Sequence, residues 1–141
     1  MRKGPHTDSI GYLFIKICKS RRNKANEMLV KHGIHAGQDV LLNYLSLEDG
    51  QTVSQLATDI QIQYATISNM INRMVANDLV KKIRDENDAR VSRIFLTTKG
   101  KDAVITLREV WQFLEGQTIN GLTEDEIRLL KDLLKKVLAN F

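Results

Sequence analysis

The sequence predicts a mostly α-helical fold with a small β-hairpin, and three observations lead to this fold class. Apolar residues recur every three or four positions along most of the 141-residue chain, as they do on one face of a helix. A single proline leaves long helices uninterrupted. One internal stretch breaks this pattern, because residues 80–84 and 90–96 have the composition of short strands on either side of a charged tip.

The first two helices are predicted at about residues 8–32 and 38–47. Apolar residues from Ile10 onward follow helical spacing in the first of them, and Gly33 is expected to end it. The second is rich in leucine and is followed by Asp49-Gly50, a pair typical of turns.

The third and fourth helices are indicated by a capping signal and by an apolar stripe. Thr52 and Gln55 can form a capping box, in which each side chain satisfies a free backbone N–H of the other residue. The fourth helix is predicted over about residues 64–77. Its buried side consists of apolar residues at i, i+3, i+4 and i+7, namely Ile67, Met70, Ile71 and Met74.

The hairpin and two further helices complete the chain. The hairpin has its predicted strands at 80–84 and 90–96 and its tip at 85–89, and a fifth helix is expected over about residues 98–116. Thr123 and Glu126 then form a second capping box, which opens a sixth helix. The wide apolar stripe of this last helix continues to Phe141.

The apolar stripes of the first and sixth helices predict a homodimer. Residues 38–96 already supply a complete unit of three helices and a hairpin, and terminal helices with spare apolar faces bury them best against a second copy. We therefore expect one intertwined domain, in which residues 1–37 and 99–141 form a helical dimerisation region around a unit at 38–98. Packing of both terminal helices on the same chain is the alternative.

A helix with a polar face followed by a basic hairpin is the arrangement of a winged helix-turn-helix. The helix can enter a major groove while the hairpin, or wing, reaches the next minor groove. Seven basic and three acidic residues lie between Lys81 and Lys101, whereas residues 38–80 contain one basic and five acidic residues. This division favours phosphate contacts from the wing and base readout from the helix. Residues 38–98 are therefore the predicted DNA-binding region, and double-stranded DNA is the expected partner.

Particular side chains of the fourth helix and the wing are suited to contacting DNA. Asn can pair with the edge of adenine, and Ser and Thr can reach bases or phosphates. Arg90 is predicted to enter the minor groove while Asp88 holds it extended. Additional phosphate contacts are expected from Lys81, Lys82, Arg84 and Lys99. The predicted DNA-binding residues are Gln63, Tyr64, Ala65, Thr66, Ser68, Asn69, Asn72, Arg73, Asp88, Arg90 and Arg93.

These motifs make the chain similar to the MarR family of bacterial transcription regulators. The segments TVSQLATDI and TISNMINRMVANDLV resemble the third helix and the recognition helix of the family, and Asp85, Asp88 and Arg90 followed by LTTKG resemble its wing motif. The chain departs from the family pattern at Asn87, which replaces an arginine, and at Asp78, which replaces a glycine. An aspartate tolerates the left-handed conformation that this glycine adopts.

The resemblance implies a homodimer that represses transcription from a palindromic operator. The single cysteine suits a reducing environment, so we expect a cytoplasmic protein. It also implies a pocket for a phenolic or lipophilic effector, lined by the first, second and fifth helices. Tyr44 and Trp111 are conceivable liners, although ordinary packing is the expected role of both. No cofactor and no metal are expected, and the chain lacks the run of about 18 apolar residues that a membrane span needs.

Oxidant sensing through Cys18 is an alternative mode of control. The cysteine lies among Lys16, Lys19, Arg21 and Arg22, and positive neighbours favour a reactive thiolate. We nevertheless expect Cys18 to be a buried and unreactive thiol.

Three other functions fit the sequence less well. Metal sensing would have to use His6, His32 and His35, the chain's three histidines. The sequence shows neither a nucleophile–base set nor a glycine-rich phosphate loop that would indicate an enzyme. A winged-helix protein-interaction module without DNA binding would explain the apolar stripes, but it would leave Arg90 and Asp88 without a role.

Overall fold

A computed structural model describes residues 7–141. The helices of this part of the chain are α1 (Ile10–Val30), α2 (Gln38–Leu47), α3 (Val53–Ile60), α4 (Tyr64–Ala76), α5 (Thr98–Ile119) and α6 (Glu124–Leu138). Its strands are β1 (Gln51–Thr52), β2 (Val80–Arg84) and β3 (Ser92–Leu96). The predicted fold class, mostly α with a small hairpin wing, is confirmed.

Local sequence signals determine where several of these elements begin. Thr52 Oγ1 accepts a hydrogen bond from Gln55 N at 3.1 Å, and Gln55 Oε1 accepts one from Thr52 N at 2.9 Å. Thr123 and Glu126 form the same reciprocal pair at the start of α6, so both predicted capping boxes are confirmed. Asp78 has a φ of 58°, which reverses the chain between α4 and β2 as the sequence predicts.

The three strands form one antiparallel sheet in which β3 lies between β1 and β2. In the wing, Val80 pairs with Leu96 and Arg84 pairs with Ser92. The sequence does not predict β1, because two residues are too short to show an alternating pattern. The predicted start of β3 at Arg90 is wrong by two residues, since the tip continues to Val91, whose N–H bonds to the Asp88 carbonyl at 3.0 Å.

The hydrophobic core lies beneath the sheet and is surrounded by α2, α3, α4, α5 and the C-terminal part of α1. Its most buried large side chains include Leu29, Leu42, Leu56, Ile67 and Ile94. The α4 stripe is confirmed at Ile67, Ile71 and Met74, whereas Met70 is only partly buried. This packing fixes α4 against the sheet and leaves its other side exposed.

The terminal helices are covered less completely. Helix α5 continues to Ile119 instead of ending near Gly116, because a single glycine costs a helix only about 1 kcal/mol. Arg21 of α1 also holds this last turn, where it donates hydrogen bonds to the Leu114 carbonyl and to the Thr118 hydroxyl. Helix α6 has no buried residue. Among the helices of residues 7–141, none combines the length and apolar character required to cross a bilayer.

Candidate nucleic-acid interface

Helix α4 exposes the polar side that the sequence assigns to DNA. Ile67, Ile71 and Met74 are buried against the core, so the residues between them in the helical repeat point away from it. The exposed residues at the start and along the outer side of the helix are Gln63, Tyr64, Ala65, Thr66, Asn69, Asn72 and Arg73, and Ser68 is partly buried. The surface is continuous and offers amide, hydroxyl and guanidinium groups.

The wing tip holds Arg90 away from the body of the protein. Asp85 Oδ2 accepts hydrogen bonds from the backbone N–H groups of Asn87 and Asp88, each at 3.2 Å, and these bonds close the turn. Asp88 Oδ1 in turn accepts from Arg90 N at 3.0 Å and from Arg90 Nε at 3.3 Å. The predicted contact between Asp88 and Arg90 is confirmed, and the Arg90 side chain is 92% exposed.

Arg93 fastens the wing to the body. Its Nε donates to Asp85 Oδ1 at 2.7 Å, and its Nη1 donates to the Gly50 carbonyl at 3.0 Å. The hydrogen bond from Arg93 is the main reason that the pKa of Asp85 lies below its ordinary value. Because two edges of the guanidinium are occupied, the structure gives Arg93 a bracing role. The DNA contact predicted for it remains a prediction.

The sequence did not predict a second contact that holds the wing, which is made by Asp49. Asp49 Oδ1 accepts from Gly50 N at 3.2 Å and from Leu96 N at 2.9 Å, and so ties the α2–β1 turn to the end of β3. The buried Gln51 amide donates to the carbonyls of Tyr44 and Glu48 at 2.9 and 2.8 Å. The sequence predicts the turn at Asp49-Gly50. It does not predict the hydrogen bond between Asp49 and Leu96, because these residues are 47 positions apart and no local pattern links them.

A shallow cavity of about 220 Å³ lies between the wing and the start of α4. The polar side chains around it are hydroxyls and cations, and no acidic residue lines it; they are Thr52, Ser54, Tyr64, Lys82, Arg90 and Ser92. A groove with this composition suits an anionic partner. Lys82 and Arg90 thus lie on the same side of the molecule as the exposed face of α4.

The cavity in the region predicted to hold an effector is not lined by all three of the expected helices. An open cavity of about 520 Å³ runs along the end of α1 and the α1–α2 connection, and it is lined by Asn23, Asn26, Glu27, Val30, Ile34, His35 and Ala36. Neither Tyr44 nor Trp111 lines it. Tyr44 instead packs against the core and donates its hydroxyl to the Asp59 carbonyl at 3.3 Å.

An ion pair joins α1 to α2. Arg22 Nη1 and Nη2 donate to the two carboxylate oxygens of Asp39 at 2.6 and 2.9 Å. The Asp39 side chain is only 2% exposed, whereas that of Arg22 is 40% exposed. The hydrogen bond to Asp39 raises the pKa of the Arg22 guanidinium. The sequence reasoning missed this pair, since two residues on different helices produce no periodic pattern.

The prediction that Cys18 is buried is wrong for the single chain, in which its thiol is exposed. Cys18 lies two helical turns before the buried Ala25 and therefore on the same side of α1. Only Ala25 and Leu29, both in the C-terminal half of α1, are buried, because the N-terminal half extends beyond the core. Within residues 7–141, no three His, Cys, Asp or Glu side chains are grouped so that they could hold a metal ion; His6 lies outside this range.

Comparison with known proteins is consistent with this geometry. The model of the MarR family matches residues 35–92. An uncharacterised HTH-type transcriptional regulator of Bacillus subtilis, YsmB, is 29% identical over 82% of this chain and 80% of its own length. A MepR–DNA complex of Staphylococcus aureus is similar with a TM-score of 0.82 and 28% identity, and covers 94% of this chain and 98% of that one. A mutant MarR of E. coli complexed with operator DNA has a TM-score of 0.80 and 26% identity, with 96% and 99% covered. Residues 35–92 thus match the MarR family, and over most of its length the chain is similar to winged helix-turn-helix transcriptional regulators, two of which were solved bound to DNA.

Proposed function

We propose that this protein is a transcription regulator of the MarR family, a homodimeric repressor that binds a palindromic operator and releases it when a small phenolic or lipophilic effector binds. The observation that carries the DNA-binding part is the exposed Arg90, which Asp88 holds outward beside the exposed polar side of α4. A cation in that position fits a narrow minor groove while α4 lies in the adjacent major groove.

Within this proposal the recognition residues fall into two groups. Asn69 and Asn72 lie where they can pair with base edges, and Ala65 can contact a thymine methyl. The remaining predicted contacts position the helix and the wing on the duplex, and they are Gln63, Tyr64, Thr66, Ser68, Arg73, Asp88 and Arg93. These assignments are proposals, supported by the exposure of most of these side chains on one side of the molecule.

The homodimer is supported by apolar residues that the single chain leaves uncovered. Helix α6 exposes Leu129, Leu133 and Leu138, and the N-terminal half of α1 exposes Ile10 and Ile15. A second copy would cover both helices, with residues 1–37 and 99–141 as the dimerisation region around residues 38–98. Twofold symmetry would then present two α4 helices to the two halves of a palindrome.

The proposed effector site is the cavity along the end of α1 and the α1–α2 connection, whose lining residues directly precede the winged region in sequence. A ligand that binds one arrangement of the two regions better than another would shift the protein toward that arrangement. The cavity has apolar walls at Val30 and Ile34 and polar groups at Asn23 and Asn26. This combination suits a small lipophilic molecule with one or two polar groups.

The test begins with selection of bound sequences from a random pool of duplexes, followed by titration of the selected sequence. A palindromic consensus, and an affinity that falls steeply with salt, are expected. Arg90→Ala should weaken binding by roughly 1–3 kcal/mol, the value of one groove contact. The matched control is Arg108→Ala, which removes the same charge from an exposed position on α5.

Two results would contradict the proposal. A selection that returned no enriched sequence would exclude operator recognition. Equal losses for Arg90→Ala and Arg108→Ala would show that only net charge matters at the wing.

Control of release by oxidation is a second candidate, favoured by the exposure of Cys18. Peroxide would oxidise the Cys18 thiolate to a sulfenic acid. Operator binding should then fall after peroxide treatment in the unaltered protein but not in Cys18→Ser. Iodoacetamide labelling of Cys18 no faster than that of an unfolded control would argue against a sensing thiol.

A further inference from the structure

The C-terminal turn of α4 is bonded to the start of α5. Thr97 N donates to the Leu79 carbonyl at 3.1 Å, and the Thr97 hydroxyl shares its proton between the carbonyls of Asp78 and Leu79 at 2.5 and 3.1 Å. The same hydroxyl accepts from Gly100 N at 3.0 Å and so caps α5. One side chain therefore terminates the α4–β2 turn and initiates the next helix.

Two neighbours of Thr97 tighten this contact. Lys99 Nζ donates to the carbonyl of Asn77 at 2.8 Å and thus caps the C-terminal end of α4. Gly100 is buried against the same turn, and a Cβ at this position would lie 2.0 Å from the Leu79 carbonyl oxygen. Any side chain at residue 100 would push α5 away from α4. We call Thr97, Lys99 and Gly100 the α4–α5 joint.

Helix α5 connects this joint to the far end of the molecule. It is a single helix of 22 residues, so it is about 33 Å long. Near its C-terminal end it accepts the hydrogen bonds from Arg21 of α1. The joint, together with the packing of α5 on α2, therefore fixes where α4 lies relative to the terminal helices.

We propose that Thr97, Lys99 and Gly100 are positioning residues that set the separation of the two α4 helices in the dimer, and with it the half-site spacing that the protein accepts. This inference rests on the proposed function, a dimer on a palindromic operator. One base pair of added spacing moves a half-site by about 3.4 Å and rotates it by about 34°. A rigid joint resists that change, whereas a loosened joint tolerates it.

The proposal assigns Lys99 a different role from the phosphate contact that the sequence predicted. Loss of a phosphate contact weakens every duplex by a similar factor and lowers the slope of log affinity against log salt by about one. Loss of a positioning contact instead weakens the preferred spacing most and leaves the salt slope unchanged. The two roles are therefore distinguishable on the same set of duplexes.

The experiment measures dissociation constants on the selected operator and on duplexes whose half-sites are one base pair closer or farther apart. The variants are Lys99→Met and Thr97→Val. Lys101→Met is the control, because it removes an equal charge from an exposed position on the same helix. Thr97→Ser restores the hydroxyl and should restore the behaviour of the unaltered protein. Thermal unfolding of each variant shows whether its fold is intact, and Lys99→Met, an exposed change, is expected to keep it.

The unaltered protein and Lys101→Met should prefer the selected spacing by roughly tenfold, which is the scale of one mismatched contact. Lys99→Met and Thr97→Val should reduce that preference to about threefold or less, with an unchanged salt slope. Retention of the tenfold preference by both variants would overturn the inference, as would a uniform loss with a lower salt slope for Lys99→Met. In either case the unaltered protein would still bind the palindrome, so the proposed function would survive. Failure of the unaltered protein to bind any duplex would overturn both.

Discussion

The winged region and the terminal helices α1 and α6 differ in how many of their apolar side chains the single chain buries. In residues 38–98 the large side chains of α2, α3, α4 and β3 meet in one core, and Leu42, Leu56 and Ile67 are fully buried. Helix α6 has a regular apolar stripe but buries none of its residues, and α1 buries only two. The chain therefore has one core, to which α5 and the C-terminal end of α1 also contribute, whereas α6 and the N-terminal half of α1 carry apolar side chains that this core does not cover.

This difference separates the contacts that position α4 and the wing within one chain from the contacts that would join two chains. A single chain determines the positions of α4 and the wing, because their core and their anchors lie within it. In the proposed dimer, the separation of the two α4 helices would depend on how the terminal helices pair. Each leucine of the α6 stripe that became fully buried would contribute about 1.5–3 kcal/mol, so pairing through this stripe would stabilise the proposed dimer strongly.

The largest expected effect comes from placing a charge in the α6 stripe. Leu133 is exposed in the single chain, so Leu133→Arg should not disturb the fold of the monomer. In a dimer the same side chain would bury an unpaired charge. We expect the dimer dissociation constant, measured by sedimentation, to rise at least about 100-fold, which is about 2.7 kcal/mol.

The control for this change is Lys135→Arg, which puts the same side chain on the polar side of α6 and should leave the dimer intact. Circular dichroism should show the same helix content in both variants. If Leu133→Arg sedimented like the unaltered protein, the stripe would not be the dimer interface, and the contrast between the two regions would need another explanation.

A smaller effect is expected at the boundary between the two regions. Arg22→Met removes the partner of the Asp39 carboxylate, which is almost fully buried. Breaking a fully buried pair costs about 3–5 kcal/mol, but Arg22 is partly exposed and water screens the interaction. We therefore expect the free energy of unfolding, measured with urea at fixed protein concentration, to fall by roughly 1–3 kcal/mol.

A surface ion pair on the same helix provides the matched control. Lys24 contacts Glu27 at 3.4 Å in an exposed setting, so Lys24→Met should cost no more than about 0.5 kcal/mol. Adding Asp39→Asn to Arg22→Met removes the stranded charge and should recover part of the loss. Equal losses for Arg22→Met and Lys24→Met would show that the Asp39 carboxylate is hydrated.

The elements predicted correctly from the sequence are those whose signals are local. The bounds of α2 and β2 and both capping boxes depend on residues within a few positions of one another, and so does the contact between Asp88 and Arg90. Burial of the α4 stripe follows from its period.

The contacts that were missed join residues far apart in the sequence. Arg22 and Asp39 are 17 residues apart, Lys99 and Asn77 are 22 apart, and Arg93 and Gly50 are 43 apart. Such contacts depend on how helices and strands pack against one another, and the spacing of apolar residues along the sequence does not predict this packing. Cys18 shows the same limit. It lies on the same side of α1 as the buried Ala25, but the core does not extend as far as Cys18, whose thiol is exposed.

The smallest expected effect is a local loss of stability at low pH, at the wing tip and at the start of α6. The pKa of Asp85 in the wing is lowered mainly by its hydrogen bond from Arg93, and the pKa of Glu126 at the start of α6 is lowered mainly by the backbone N–H of Thr123. A carboxyl whose folded pKa is below its unfolded value stabilises the fold above the unfolded pKa, about 4. That stabilisation is lost as pH falls through the lower, folded value.

Amide hydrogen exchange can separate the two sites, because each carboxylate accepts from its own backbone N–H groups. Below about pH 4, the protection of the Asn87 and Asp88 amides should fall together with that of Thr123. At neutral pH, Asp85→Asn should reproduce the loss in the wing without affecting Thr123. Glu126→Gln keeps an acceptor oxygen like the one that Gln55 provides at the start of α3, so it should lower the protection of Thr123 only slightly and leave the wing unchanged. The wing depends on a charged arginine, whereas the α6 cap depends on a neutral N–H, so the loss caused by Asp85→Asn should be the larger of the two. If each variant loosened both sites, the winged region and the terminal helices would unfold as one cooperative unit, and the independence inferred from their separate packing would be wrong.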